Sequence, residues 1–94
     1  MNIQHEAGNP KGRFFVNENG KKLAEMTYVW AGDTRIIIDH TEVDGSLRGK
    51  GAGKQMVSMA VEYARSKNIT ILPLCPFASS VFKKVAEFQD VLSK

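Results

Sequence analysis

Ile36-Ile37-Ile38-Asp39-His40-Thr41-Glu42-Val43, followed after a short gap by Leu47-Arg48-Gly49-Lys50-Gly51-Ala52-Gly53-Lys54, is the stretch that decides the fold. The first segment has the apolar character of a strand. The second is a basic, glycine-rich loop running straight into an apolar helical pattern. Gly49, Gly51 and Gly53 stand at alternate positions, so backbone N–H groups can approach a bound anion with no Cβ in the way. The helix that follows turns its free N–H groups and positive dipole end to the same spot. Strand, glycine loop and helix in this order predict a site for a phosphate or pyrophosphate.

Spacing narrows the choice. A P-loop needs Gly-x4-Gly-Lys-Ser/Thr, but here Gly53-Lys54 comes one position early and Gln55 replaces the hydroxyl. Gly-x-Gly-x-x-Gly fails as well, because neither Gly49-x-Gly51 nor Gly51-x-Gly53 has a third glycine at the right offset. What fits is Arg48-x-x-Gly51-x-Gly53 between a strand and a helix. This resembles the Arg/Gln-x-x-Gly-x-Gly/Ala signature of the GNAT acetyltransferases, whose loop amides hold the pyrophosphate of coenzyme A. A plain flexible strand–helix turn is the alternative that this motif alone leaves open.

The chain of 94 residues has the length of one domain with one modest core, and the resemblance implies that residues 1–94 form a single GNAT-like N-acetyltransferase domain. Its 43% hydrophobic and 24% charged content is ordinary for a globular protein. No apolar run is long enough to span a bilayer, and no signal-peptide pattern opens the sequence. Cys75 is the one cysteine, which excludes an intrachain disulfide and fits a reducing, cytoplasmic compartment. Net charge is +3 with a pI near 9.2. The cations are spread over Lys21-Lys22, Arg48-Lys50-Lys54, Arg65-Lys67 and Lys83-Lys84, without the basic face and interleaved aromatics of a nucleic-acid binder. Only the cluster at the glycine loop is placed to hold a polyanion. No metal is expected, since two distant histidines and one cysteine offer no ligand spacing.

Periodicity gives the element order. Residues 2–7 read as a short first strand, and Asn9-Pro10-Lys11-Gly12 as a turn. Residues 13–18 form a second strand, Asn19-Gly20 marks a hairpin, and residues 22–31 and 34–43 continue the meander. The period then changes to helical: Met56, Val57, Ala60, Val61 and Ala64 define a helix over residues 51–67 that ends near Asn68. Residues 69–74 are nearly all apolar, as in a buried parallel strand. Pro76 opens a last helix with a stripe of Phe77, Val81, Val85 and Phe88. The fold class is mixed α/β: an antiparallel four-stranded meander followed by helix, parallel strand and helix. This order resembles the core of the GNAT fold.

A second motif, Leu72-Pro73-Leu74-Cys75-Pro76-Phe77-Ala78, extends the resemblance over nearly the whole chain. With Asp39-His40-Thr41-Glu42-Val43 and the glycine loop it is similar to a small GNAT branch of single-domain proteins in which a cysteine follows the strand after the cofactor helix. The resemblance implies an acetyl-CoA-dependent acyltransferase acting on an amine acceptor. Arg48, Gly49, Lys50, Gly51, Ala52 and Gly53 would form the pyrophosphate loop with Lys54 beside them, and the Thr41, Glu42 and Val43 backbone would pair with the pantetheine arm. Larger relatives carry a tyrosine near the start of the last helix and a helical segment between their first two strands. This chain has Phe77 and Phe82 there and no tyrosine after Tyr63.

The chemistry-bearing side chains are Cys75, His40 and Glu42. Cys75 precedes a proline and stands at the start of a helix, where the dipole favours a thiolate; the opposing reading is a buried structural cysteine. His40 is an imidazole at the carboxyl end of a strand beside the loop, suited to removing a proton from an amine or thiol, or else a hydrogen-bonded structural residue. Glu42 is a second candidate base. Strict alternation puts Ile36, Ile38, His40 and Glu42 on one strand face and Ile37, Asp39, Thr41 and Val43 on the other. His5 finds no partner from the sequence. The expected partners are a coenzyme A thioester and an amine, with neither membrane nor nucleic acid, in a monomer or weak dimer. Amine attack is direct, or passes through Cys75. A non-catalytic acyl-CoA-binding module is the alternative.

Overall fold

The computed structural model describes residues 1–93. β1 (Gln4–Glu6), β2 (Lys11–Glu18), β3 (Lys21–Trp30) and β4 (Arg35–Val43) run antiparallel in chain order. Helix α1 (Ala52–Lys67) then carries the chain back, so that β5 (Thr70–Pro73) joins β4 in parallel, and α2 (Pro76–Lys84) follows. The meander, crossover helix, parallel strand and last helix are those expected. Asn19 and Gly20 take positive φ of 52° and 77°, the geometry a tight hairpin between β2 and β3 requires. α1 ends where predicted: Asn68 adopts the left-handed conformation, and its N–H together with that of Ile69 satisfies the last-turn carbonyls.

Both helices cover one face of the sheet. Phe14, Val16, Met26, Tyr28, Ile36, Ile38 and Ile71 project toward them and meet the α1 stripe of Met56, Val57, Ala60, Val61 and Ala64. The opposite face is bare. Phe15 lies there outside the core cluster, covered by the Arg13 guanidinium 4.0 Å above its ring. Arg13 bonds Glu6 and Glu25, and Lys22 bonds Glu25 and Glu42, so that face is a lattice of charges.

Strict alternation fails in β4. Tyr28 opposes Ile38 and Thr27 opposes His40, leaving Asp39 as an extra, unopposed residue. This bulge exchanges the two faces beyond it. Thr41 opposes core residue Met26 and Val43 opposes Ala24, both on the helix side. His40 and Glu42 stand on the bare side opposite Thr27 and Glu25. The expectation that His40 and Glu42 share a face with Ile36 and Ile38 is therefore corrected.

The last helix also differs from its predicted stripe. Ala78, Val81 and Phe82 are buried, while Phe77 is 41% exposed. α2 stops at Lys84, and Phe88 belongs to a 3-10 turn, Ala86–Val91. Arg65 fastens this turn to α1 through both Asp90 oxygens and the Glu87 carbonyl. Beyond it, Leu92 bridges Ile71 and the Ser93 N–H reaches the Ile71 carbonyl at 2.7 Å, along the outer side of β5.

His5 has partners after all. Its Nε2 lies 2.7 Å from the Tyr28 hydroxyl, and its ring stacks on Phe14 and meets Tyr63 edge-on. Gly12 makes room for this cluster: a Cβ there would lie 2.3 Å from the Tyr28 hydroxyl and 2.9 Å from the Glu6 carbonyl oxygen. A Cβ at Gly45 would meet nothing within 4 Å. Gly12→Ala is expected to destabilise by about 1–3 kcal/mol, as overpacking does. Gly45→Ala should stay within about 0.5 kcal/mol in the same urea titration. Burial holds the His5 pKa below its ordinary 6.5, so folding favours the neutral ring. The sign follows: stability is kept above pH 6.5 and falls as the pH drops toward the depressed folded value. Denaturation at pH 7.5 and pH 5.5 should show a smaller loss for His5→Gln than for the wild type.

Candidate functional site

The parallel strands part at Ile38. Its carbonyl accepts both the Leu74 N–H at 3.0 Å and the Cys75 N–H at 3.1 Å, and Ile38–Pro73 is the last pair between β4 and β5. Beyond it, Thr41, Glu42 and Val43 are paired with β3 alone, and their other backbone edge is open. An extended polar chain can add to such an edge as a strand would.

The glycine loop lies next to this edge. Asp44 caps a short 3-10 turn, Gly45–Leu47, through the Ser46 N–H, and buried Leu47 anchors the turn in the core. Gly49 and Gly51 follow with positive φ of 79° and 73°, values that tolerate side chains poorly. Gly51 is the N-cap of α1 and offers no side-chain cap, and the amides of Ala52, Gly53 and Lys54 have no protein acceptor among the described residues. A Cβ added at Gly49 would meet nothing within 4 Å, and at Gly51 only the Gln55 side-chain nitrogen at 3.9 Å. Uncapped amides beside a turn that is open at Gly49 and Gly51 fit a pyrophosphate. Arg48, Lys50, Lys54 and Lys84 enter none of the ion pairs among the described residues.

A groove of about 450 Å³ joins these parts. Its walls are Val43, Leu47 and the loop on one side, and Phe77, Ser80, Val81 and Lys84 of α2 on the other. Gly53 is buried and meets Phe77 rather than the open space that fronts Gly49 and Gly51.

Cys75 is the N-cap of α2 and is 7% exposed. Its sulfur accepts the Ala78 N–H at 3.3 Å and lies 3.2 Å from Thr41 Oγ1. The neighbour of the thiol is thus Thr41, and His40 points to the other side of the sheet. His40 Nε2 is 3.6 Å from Glu42 Oε2 on the bare face. Lys22 holds the Glu42 carboxyl below its ordinary range, with His40 adding to the effect, so Glu42 is a weaker proton acceptor than a free carboxylate. Asp39 accepts a hydrogen bond from Thr27 Oγ1 at 2.6 Å on the same face. Among the described residues no group of three His, Cys, Asp or Glu side chains gathers to hold a metal ion, and no helix is long and apolar enough to cross a membrane.

The family model described as GCN5-related N-acetyl-transferase matches residues 13–91. The chain belongs to this family. A GCN5-like candidate N-acetyltransferase from Staphylococcus aureus, solved in solution, is 37% identical with a TM-score of 0.73, over 98% of this chain and 89% of that one. A predicted acetyltransferase from Clostridium acetobutylicum, solved with acetyl-CoA, has a TM-score of 0.66 at 21% identity over 81% of this chain and 56% of that one. The ribosomal-protein-S18-alanine N-acetyltransferase from Escherichia coli has the same TM-score at 14% identity, over 83% and 53%. This GCN5-related chain therefore spans most of the first protein and about half of the other two, with which it shares the fold. A search of curated proteins found no match.

Sequence reading missed Thr41 as the partner of Cys75, since nothing in the letters marks Asp39 as an extra residue. It also missed the groove face of α2, although Phe77, Ser80, Val81 and Lys84 keep the i, i+3, i+4, i+7 spacing of one helix stripe. The geometry sets an expectation for thiol chemistry. Thr41→Val should shift the pH profile of Cys75 alkylation by iodoacetamide, and His40→Ala should leave that profile unchanged. The reverse result would put the imidazole, and not the hydroxyl, beside the sulfur.

Proposed function

We propose that this chain is an acetyl-CoA-dependent N-acetyltransferase whose cofactor lies along the groove. The observation that carries the reading is the pair of open glycines, Gly49 and Gly51, at the uncapped start of α1. The pyrophosphate would sit on the amides of the segment from Gly49 to Lys54, with Arg48, Lys50 and Lys54 supplying charge. The pantetheine arm would run along the open backbone of Thr41, Glu42 and Val43. Membership of the family and the acetyl-CoA and coenzyme A complexes among its structural neighbours support this.

Acetyl-CoA would supply an acetyl group activated as a thioester. The chain's own part is to hold the reacting end where the two strands diverge, between the Thr41–Cys75 pair on one side and His40 on the other. His40 is the group best placed to take a proton from an amine arriving over the bare face, with Glu42 stabilising the imidazolium so formed. Cys75 is buried beside Thr41 and is available to carry the acetyl group before the amine does, in the longer of two routes. A free thiol at the site suits a reducing compartment, which supports a cytoplasmic address.

A non-catalytic coenzyme A-binding module is favoured by one observation. The phenols of Tyr28 and Tyr63 lie in the His5–Phe14 cluster, so no tyrosine stands near the start of α2. Turnover with an amine panel separates the two readings.

Calorimetric titration with coenzyme A tests the site. Gly51→Val, which puts a β-branched side chain at a φ of 73° and into the open space above the loop amides, should abolish binding in a folded protein. Arg48→Ala should weaken binding several-fold, and less at high salt, where the wild-type attraction is already screened. Acetyl transfer to an amine at full rate in Cys75→Ala would select direct attack; an acetyl thioester on Cys75 that the amine discharges, releasing the free thiol and the acetylated amine, would select the relay.

A further inference from the structure

The bare face of the sheet holds a hollow of about 210 Å³, lined by Glu6, Lys11, Gly12, Arg13, Thr27 and Asp39. It shares no residue with the groove at the glycine loop. Four of its side chains carry charge, and they differ in how far that charge is met. Glu6 and Arg13 bond each other at 3.0 Å, and Arg13 also reaches Glu25 at 2.9 Å. Lys11 and Asp39 enter none of the ion pairs among the described residues. Asp39 Oδ1 accepts a bond from the neutral Thr27 hydroxyl, at 2.6 Å. One cation on β2 and one anion on β4 thus line the same hollow, with β3 between them. The bulge sets the place of the anion: Asp39 is the residue with no opposite number on β3, and Thr27, which bonds it, is the direct partner of His40.

We propose that this hollow is the acceptor subsite and that the acceptor is a small amino acid, its ammonium held by Asp39 and its carboxylate by Lys11. The inference rests on the acetyltransferase reading above and gives the amine of that reading a chemical class. An ammonium on Asp39 stands beside His40, the group that would take its proton. Each end of the acceptor makes a charge-assisted contact. The two opposite charges also fix its direction, since a reversed molecule would set like charge against like at both ends. A diamine would bring its second cation to Lys11, and a plain alkylamine would leave Lys11 without a partner, so the hollow disfavours both. Its volume lies below the roughly 300–1,000 Å³ of sites for drug-sized ligands, which keeps the acceptor small. Two strand spacings, roughly 10 Å, separate β2 from β4, and the long Lys11 stem closes part of that distance.

Turnover of acetyl-CoA with six acceptors tests this. Glycine, β-alanine and 4-aminobutanoate space the two charges differently, and their three amides keep the ammonium but lose the carboxylate. At least one amino acid should exceed its amide about tenfold in kcat/KM. Lys11→Gln should bring that amino acid down to the level of its amide, through KM rather than kcat, and Lys11→Glu should put the amide ahead. Asp39→Asn, which keeps an acceptor for the Thr27 hydroxyl, should raise KM for amino acid and amide alike. Lys11 and Asp39 are exposed, so these variants are expected to stay folded. Their affinity for coenzyme A, read by calorimetry, should stay within about twofold of the wild type, which separates loss of the acceptor from loss of the cofactor. If every amide is used as well as its amino acid, or if the preference survives Lys11→Glu, the proposal is overturned and Lys11 is a solvated surface charge. Failure to acetylate any of the six by a protein that binds coenzyme A would also overturn it and leave the cofactor site standing. A wild-type protein that does not bind coenzyme A would overturn the acetyltransferase reading itself.

Discussion

One carbonyl oxygen, that of Ile38, takes two consecutive amides, and the rest of the site depends on that sharing. A parallel ladder advances by alternating its partners; when Leu74 and Cys75 both turn to one acceptor, β5 can go no further beside β4. The chain then enters α2 with Cys75 as its cap, and Pro76, which has no N–H to lose, fits the first turn. β4 continues alone past the fork. Open edge, capped thiol and helix start are thus consequences of a single local geometry.

The two faces of the sheet have divided the work. Below it, side chains close to fully buried meet α1 and α2, and full burial of one such residue is worth about 1.5–3 kcal/mol. Above it, the bonds among Glu6, Arg13, Glu25, Lys22 and Glu42 run from the part-buried Arg13–Glu25 pair to the exposed Lys22–Glu42 pair, and exposed pairs contribute little. Stability comes from the helix side. The charged side is free to be shaped by what must approach it, and the bulge at Asp39 is what sends His40 and Glu42 there and Thr41 to the thiol.

Much of this was legible in the letters because the deciding signals were local. The Asn19-Gly20 hairpin, the change from a two-residue to a helical period after the loop, the stop at Asn68 and the proline after Cys75 each act within a few residues. The glycine loop was legible for the same reason. What failed depended on partners far along the chain. Alternation assigns His40 to the core face unless one knows that β3 passes Asp39 without a matching residue. Phe77 looks like core until Gly53 is seen to receive its ring. His5 finds Tyr28, 23 positions away, only once β1, β2 and β3 are assembled.

Arg65 has a consequence beyond holding a turn in place. By gripping Asp90 and the Glu87 carbonyl it directs the residues after them along β5, where Leu92 and Ser93 occupy the row of groups that Ile71 would otherwise present to solvent. An unpaired parallel edge of apolar residues is a template on which a second chain can polymerise. A surface ion pair of small energetic worth thus bears on the border of the sheet, because the segment it holds keeps a few backbone groups of β5 paired within the chain.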